Sequence, residues 1–203
     1  GQKVYVETCP QYLLMDDSLY ELPGFESAKY VCAPPLRKKE DQDCLWKGLA
    51  DGTIQTVSTD HCSFTTEQKK LGEGDFTKIP GGMPGAETRG TLIYTYGVDK
   101  GRITKEDMCR VLSENPAKLY GLYPRKGVIA PGSDADLVIM RTGVEDVITA
   151  KDQVQNVDYA PFEGTKVTGR VESVFLRGLQ AVKDGKVVEE KKGEFLKRGK
   201  YAL

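Results

Sequence analysis

The feature that most constrains this chain is a change of texture near "GLYPRKG", Gly121 to Gly127. Before it, short β-prone runs alternate with stretches of helical periodicity, the pattern of an α/β unit. "KVYVE" alternates Val4 and Val6, and "IQTVS" is a second short β-prone run. Between and after them, "EDQDCLWKGL" sets Leu45 and Leu49 four apart. "ETRGTLIYTYGV" groups Leu92, Ile93 and Tyr96, and "TKEDMCRVL" groups Met108, Val111 and Leu112 on one stripe. Thr104 with Asp107 has the spacing of a capping box, and Asn115 before Pro116 predicts a helix start with proline at the first position. After Gly127 the texture is β-rich. "ADLVIM" is a continuous apolar run, and "VTGRVESVFLRG" and "LQAVKDGKVV" read as strands, the last folded at an Asp184-Gly185 turn. Three segments follow: 1–123 as α/β, 124–190 as β, and 191–203 as a charged tail that is mobile or docks on a partner. Leu137, Val138, Ile139, Val174 and Leu176 are expected to be buried, because strands with such runs need a second layer over them.

Composition excludes several classes of function. With 29 basic against 30 acidic residues and no basic stripe interleaved with aromatics, the chain has no electrostatic footprint for nucleic acid. No apolar run approaches the ~18 residues of a membrane span, and no signal peptide opens the chain, so a soluble protein is expected. The five cysteines are widely spaced and odd in number, which predicts reduced thiols in a cytoplasmic protein rather than a disulfide framework.

The stretch "IQTVSTDHCSF", Ile54 to Phe64, carries the chain's one histidine directly after an aspartate at the end of an apolar run. The carboxyl end of a strand is where a (β/α) barrel presents its catalytic side chains. Asp60 there can serve as a hard oxygen ligand to zinc and exchange a proton with a metal-activated water. It can equally be a turn aspartate capping the next segment. His61 alone reads more readily as a structural histidine, since adjacent residues on an extended strand point to opposite sides.

Six blocks, "ETCPQYL", "APPLR", "TDHCSF", "GDFTKIPGGMPG", "NPAKLYGLYPRKGVIAPGSDADLVI" and "NVDYAPFEG", resemble in order the C-terminal part of the dihydropyrimidinase and hydantoinase family of cyclic amidohydrolases. The resemblance implies the last strands of a (β/α)₈ metallo-dependent hydrolase barrel of TIM type, joined to part of a small β-sandwich built from both ends of the chain. It implies hydrolysis of the cyclic amide of dihydropyrimidines or 5-substituted hydantoins to N-carbamoyl amino acids at a centre of two zinc ions. Asp60 matches the aspartate that binds the more exposed metal and relays the proton of the bridging hydroxide. His61 and Cys62 stand where they can support it from behind. Ala33 stands where the family usually has a serine, and Gly81 where it commonly has an asparagine, both contacting the substrate ring through the main chain. The alternative for Gly81 and Gly82 is a flexible turn beside Pro80. The charged tail resembles an extension that reaches a neighbouring subunit of a homo-oligomer, a tetramer in the family.

The family's histidine pair, carboxylated lysine, further histidines and substrate tyrosine have no counterpart here and are expected before Gly1. A complete barrel takes about 250 residues, and only the first ~120 here read as α/β. The chain is therefore expected to be a fragment, inactive alone. With strands bare of neighbours it should self-associate or pair with its missing N-terminal half. The other function class is a non-catalytic dihydropyrimidinase-related assembly protein, which characteristically loses metal ligands. The presence of Asp60 favours the enzyme.

Overall fold

The computed structural model describes residues 1–188 and 193–203. Its first part contains β1 (Glu7–Thr8), α1 (Pro10–Leu14), α2 (Lys39–Asp51), β2 (Thr56–Val57), α3 (Thr66–Lys69), α4 (Arg89–Ile93), α5 (Lys105–Cys109) and α6 (Asn115–Leu119). The second part is an antiparallel meander of β3 (Leu137–Val147), β4 (Lys166–Leu176), β5 (Leu179–Lys183) and β6 (Lys186–Val187). The β-rich texture after Gly127 is thus one four-stranded sheet. The helical readings around Leu45, Leu92 and Met108 all fall on helices.

β1 and β2 run parallel, Glu7 opposite Thr56 and Thr8 opposite Val57, with α2 in the crossover between them. That is the β-α-β arrangement from which parallel barrels are built. Leu13, Trp46, Leu49, Val57, Ile93 and Val111 close one core between α1, α2, β2, α4 and the helix after Thr104. Trp46 Nε1 donates to the Leu13 carbonyl at 3.2 Å and Gln42 Nε2 to that of Met15 at 2.9 Å, so α2 satisfies the end of α1 while covering it. A second core of Met15, Leu36, Met83, Leu92, Ile148, Phe162 and Val167 ties this part to the segment between β3 and β4. The "DYAPFEG" block lies across the first part as a strap. Tyr159 and Phe162 are buried, Asp158 Oδ1 accepts the Thr66 amide at 2.9 Å, and Tyr159 donates to the Lys29 carbonyl at 3.3 Å.

Four expectations need correction. The Val4 and Val6 run makes no strand; the ladder with β2 starts at Glu7, Val6 joins it by a carbonyl that accepts the Gln55 amide at 2.9 Å, and Val4 is 69% exposed. Asn115 caps nothing. The helix from Lys105 runs through it to Leu119, and a π turn at Arg110–Glu114, in which the Asn115 amide donates to the Arg110 carbonyl, admits Pro116 without a break. Asn115 Nδ2 instead donates to the Gln55 carbonyl at 2.8 Å, fixing the approach to β2. In the sheet, Leu137, Val174 and Leu176 are half-buried, whereas Val138 and Ile139 are 61% and 48% exposed, since no second layer covers them among the described residues. Finally, the end of the tail lies on its own chain. The amides of Gly199 and Ala202 donate to the carbonyls of Gly121 and Lys118 at 2.8 and 2.9 Å, and the Tyr5 hydroxyl donates to the Leu203 carbonyl at 2.6 Å. Carbonyls left over at the end of α6 invite such partners. Phe195, earlier in the tail, is exposed, and residues 189–192 lie outside the described residues.

Two local signals hold as read. Thr104 and Asp107 form the reciprocal capping box, and Asp184-Gly185 makes the two-residue turn between β5 and β6, both with positive φ. No helix among the described residues is long and apolar enough to cross a membrane. All five cysteines are free.

Candidate functional site

Asp60 follows β2 by three residues, at its carboxyl end. The strand end is held from several directions: the Ser58 amide donates to the Thr8 carbonyl at 2.9 Å, Gln11 Nε2 to that of Thr59 at 3.2 Å, and Arg89 to that of Val57 at 3.1 Å. Asp60 then turns in a left-handed conformation, φ 48°, that aspartate tolerates better than most residues. Its carboxylate is exposed and accepts no hydrogen bond or ion pair among the described residues, so it is no turn cap. It faces a cleft of about 530 Å³ whose walls include Cys9, Tyr12, Pro34, Arg37 and Asp41. Burial pushes the Cys9 and Cys32 thiols up, so at neutral pH they sit as thiols rather than as nucleophilic or metal-binding thiolates.

Two loops stand beside this strand end. The first, residues 31–35, contains Ala33, which is exposed next to the Pro34 and Pro35 that line the cleft. Tyr12 and Cys32 both donate to the Pro34 carbonyl, at 3.0 and 3.2 Å. The second, residues 79–86, contains Gly81, exposed with open space where a Cβ would be. It is not among the residues lining the cleft with Asp60. The loops meet each other where the Gly82 amide donates to the Val31 carbonyl at 2.9 Å. At Gly82, φ is 146° and any Cβ would stand 2.3 Å from the Cys62 carbonyl oxygen, so only glycine allows the approach.

His61 and Cys62 organise this second loop. The Gly85 and Ala86 amides both donate to His61 Nδ1 at 3.1 Å, which places the ring proton on Nε2, and the Cys62 amide donates to the Met83 carbonyl at 3.2 Å. The structure thus brings Asp60 to a cleft that Pro34 and Pro35, next to Ala33, also line, and ties the loop of Gly81 to this region through His61, Cys62 and Val31.

One residue of this region went unread in the sequence. Lys69, in a run of polar residues that suggests a solvated face, is 1% exposed. Its Nζ donates to the carbonyls of Val31, Pro80 and Gly82 at 3.1, 2.7 and 2.9 Å. Burial pushes its ammonium down to about 8, and three carbonyl acceptors favour the charged form that remains at neutral pH. No spacing rule could have found it, since its acceptors are backbone atoms brought together by the fold.

For a metal, the chain offers one good oxygen donor in Asp60. Among the described residues no group of three or more His, Cys, Asp or Glu could hold an ion by itself. An unpaired carboxylate at a strand end fits one ligand position of such a centre, and the others would have to come from outside these residues.

Comparison with known proteins gives a consistent result. The chain is 51% identical over 203 residues to a D-hydantoinase of Geobacillus stearothermophilus, a match covering 99% of this chain and 43% of the relative. A solved D-hydantoinase superposes with a TM-score of 0.96 at 50% identity, covering 98% of this chain and 44% of that one. A dihydropyrimidinase from Brevibacillus agri superposes at 0.90 with 49% identity, over 91% and 40% of the two chains. The chain therefore spans less than half the length of the relatives it matches, and its two parts fold as the corresponding portion of a hydantoinase folds. Because the model of the amidohydrolase family matches residues 16–188, a span that includes Asp60, both loops and the whole four-stranded sheet, the chain belongs to the amidohydrolase family.

Proposed function

We propose that this chain is the Asp60-bearing portion of a metal-dependent cyclic amidohydrolase that opens the ring amide of 5-substituted hydantoins or dihydropyrimidines to N-carbamoyl amino acids. The observation that carries the reading is the unpaired carboxylate at the carboxyl end of a parallel strand, facing a cleft, in a chain similar to D-hydantoinases over nearly its whole length. A centre of two zinc ions, when bound, supplies polarisation of the ring carbonyl and a more acidic water. Asp60 gives one carboxylate ligand to that centre, takes the proton of the attacking water and delivers it to the leaving ring nitrogen. The exposed main chain at Ala33 and Gly81 holds the ring. Because these contacts are backbone groups, the small side chains at both positions bear on which ring substituent fits and not on whether the ring binds.

In this reading the remaining metal ligands belong to an N-terminal half that pairs with this chain, and the whole assembles as a homotetramer in the cytoplasm. The free cysteines agree with a reducing compartment. A non-catalytic assembly protein is the weaker reading, since it has no use for an exposed, unpaired Asp60.

Asp60→Ala in the complete enzyme should remove all but a trace of hydantoin and dihydrouracil turnover while leaving the melting temperature near that of the parent. Near-normal turnover would overturn the assignment. The 203-residue chain alone should carry no stoichiometric zinc by elemental analysis and hydrolyse nothing, and mixing with the N-terminal half should restore both.

A further inference from the structure

Lys69 is a buried cation without a carboxylate partner among the described residues, and the cost of that arrangement needs a reason. Methionine or leucine could fill the same space with no charge to desolvate. What they could not do is donate three hydrogen bonds. The ammonium has three donors, and here each meets a main-chain carbonyl: Val31 from the loop of Ala33, and Pro80 and Gly82 on either side of Gly81.

The geometry of the peptide bond turns those contacts into an aiming device. A peptide unit is planar and trans, so its C=O and N–H point in opposite directions. With the Pro80 carbonyl held on Lys69, the N–H of Gly81 in the same plane must point away from the lysine. With the Gly82 amide donating to Val31, the Gly81 carbonyl must point away from that contact as well. Both peptide planes that flank Gly81 are thereby fixed, and among the loop's glycines Gly81 has open space beside it. The Phe64 ring, its centroid 5.6 Å from Nζ, closes one further side of the ammonium.

We propose that Lys69 is a positioning residue for substrate: it holds the Pro80–Gly81 peptide plane directly and the Gly81–Gly82 plane through the Val31 carbonyl that it shares with the Gly82 amide, and so aims the main-chain N–H and C=O of Gly81 at the amide edge of a cyclic substrate. This rests on the reading above that Ala33 and Gly81 contact the ring. It adds a side chain that touches neither substrate nor metal yet sets the binding geometry.

The test uses Lys69→Met in the complete, metal-loaded enzyme, with Lys69→Gln as a second variant should the first not fold. Two things are measured: steady-state hydantoin kinetics, and hydrogen exchange of peptides covering residues 31–34 and 79–83. The expected result is KM raised at least about tenfold with kcat within about threefold, together with faster exchange in both peptides. In Lys69→Ala, added ethylammonium should bring KM back toward the parent value, whereas tetramethylammonium, which has no N–H, should not. Unchanged exchange overturns the clamp itself. Faster exchange with an unchanged KM overturns the link between Lys69 and substrate and leaves the reading of Asp60 standing, which the Asp60→Ala kinetics test separately. A loss of thermal stability with KM and kcat both intact reduces Lys69 to a structural residue and overturns the proposal.

Discussion

In the α/β part Leu13, Leu49, Leu92, Ile93 and Val111 are closed off from solvent, whereas in the sheet Val138 and Ile139 keep 61% and 48% of their surface exposed. The two regions are similarly apolar along these runs, so the difference lies in what stands opposite. Helices α1 and α4 contribute to both cores, and α2 covers the first. Among the described residues the sheet is covered at one end, where Val167 joins the second core and Gly169 lies against the Tyr94 ring. Its other end, around Val138, holds together by ladder hydrogen bonds and exposed ion pairs such as Arg141 with Glu172 at 2.8 Å. A sheet of this kind has one face in need of a layer that these residues do not supply. Domain boundaries at 123 and 190 are best taken as a proposal in that light, with the missing layer coming from the N-terminal half.

The largest expected effect tests that contrast directly. Leu49→Ala or Ile93→Ala should cost about 2 to 5 kcal/mol in denaturant unfolding, because a cavity opens in a closed core. Val138→Ala in the same chain should change stability by no more than about 0.5 kcal/mol, as surface substitutions do. In the complete protein Val138→Ala should cost about 1 kcal/mol or more if a second layer lands on it; an equally small effect there would break the sandwich reading. Smaller is the effect at the junction of the two regions. A Cβ at Gly169 would stand 2.4 Å from the Tyr94 ring, so Gly169→Val should lower stability by about 1 to 3 kcal/mol and speed proteolysis of the sheet before that of the helices. Simultaneous cleavage of both regions would show that they do not part there. Thr104→Ala removes an N-cap and should lower the unfolding free energy by about 1 kcal/mol, read from the shift in denaturant midpoint, without touching the sheet.

What could be read in advance was local. The Thr104 and Asp107 box and the Asp184-Gly185 turn follow from side-chain and φ preferences that act within four residues, and they hold in the structure. The second two-residue turn, Arg177-Gly178 between β4 and β5, is of the same kind, with positive φ at both positions, yet its arginine gives no such signal. Asn115-Pro116 carried a correct local preference that lost, because a π turn inside a packed helix accommodates proline while Asn115 serves the neighbouring strand. Asp60 is a candidate from an apolar run ending in a carboxylate and from resemblance, and its role stays a proposal. Its freedom from partners could not be read in advance.

Local preference in the chain is enough for the helices around Leu45, Leu92 and Met108, where apolar residues recur at helical spacing, for the β-rich stretch after Gly127, and for caps and turns where short polar side chains or glycine permit them. The sequence also determined the family, because the blocks that build the site occur in order. Which apolar residues are covered follows from packing in three dimensions, since burial depends on what lies opposite and not on the residue. The tertiary structure alone decided what His61 and Lys69 do. Their partners are backbone amides and carbonyls, which every residue carries, so nothing in the order of side chains could mark them before the loops came together.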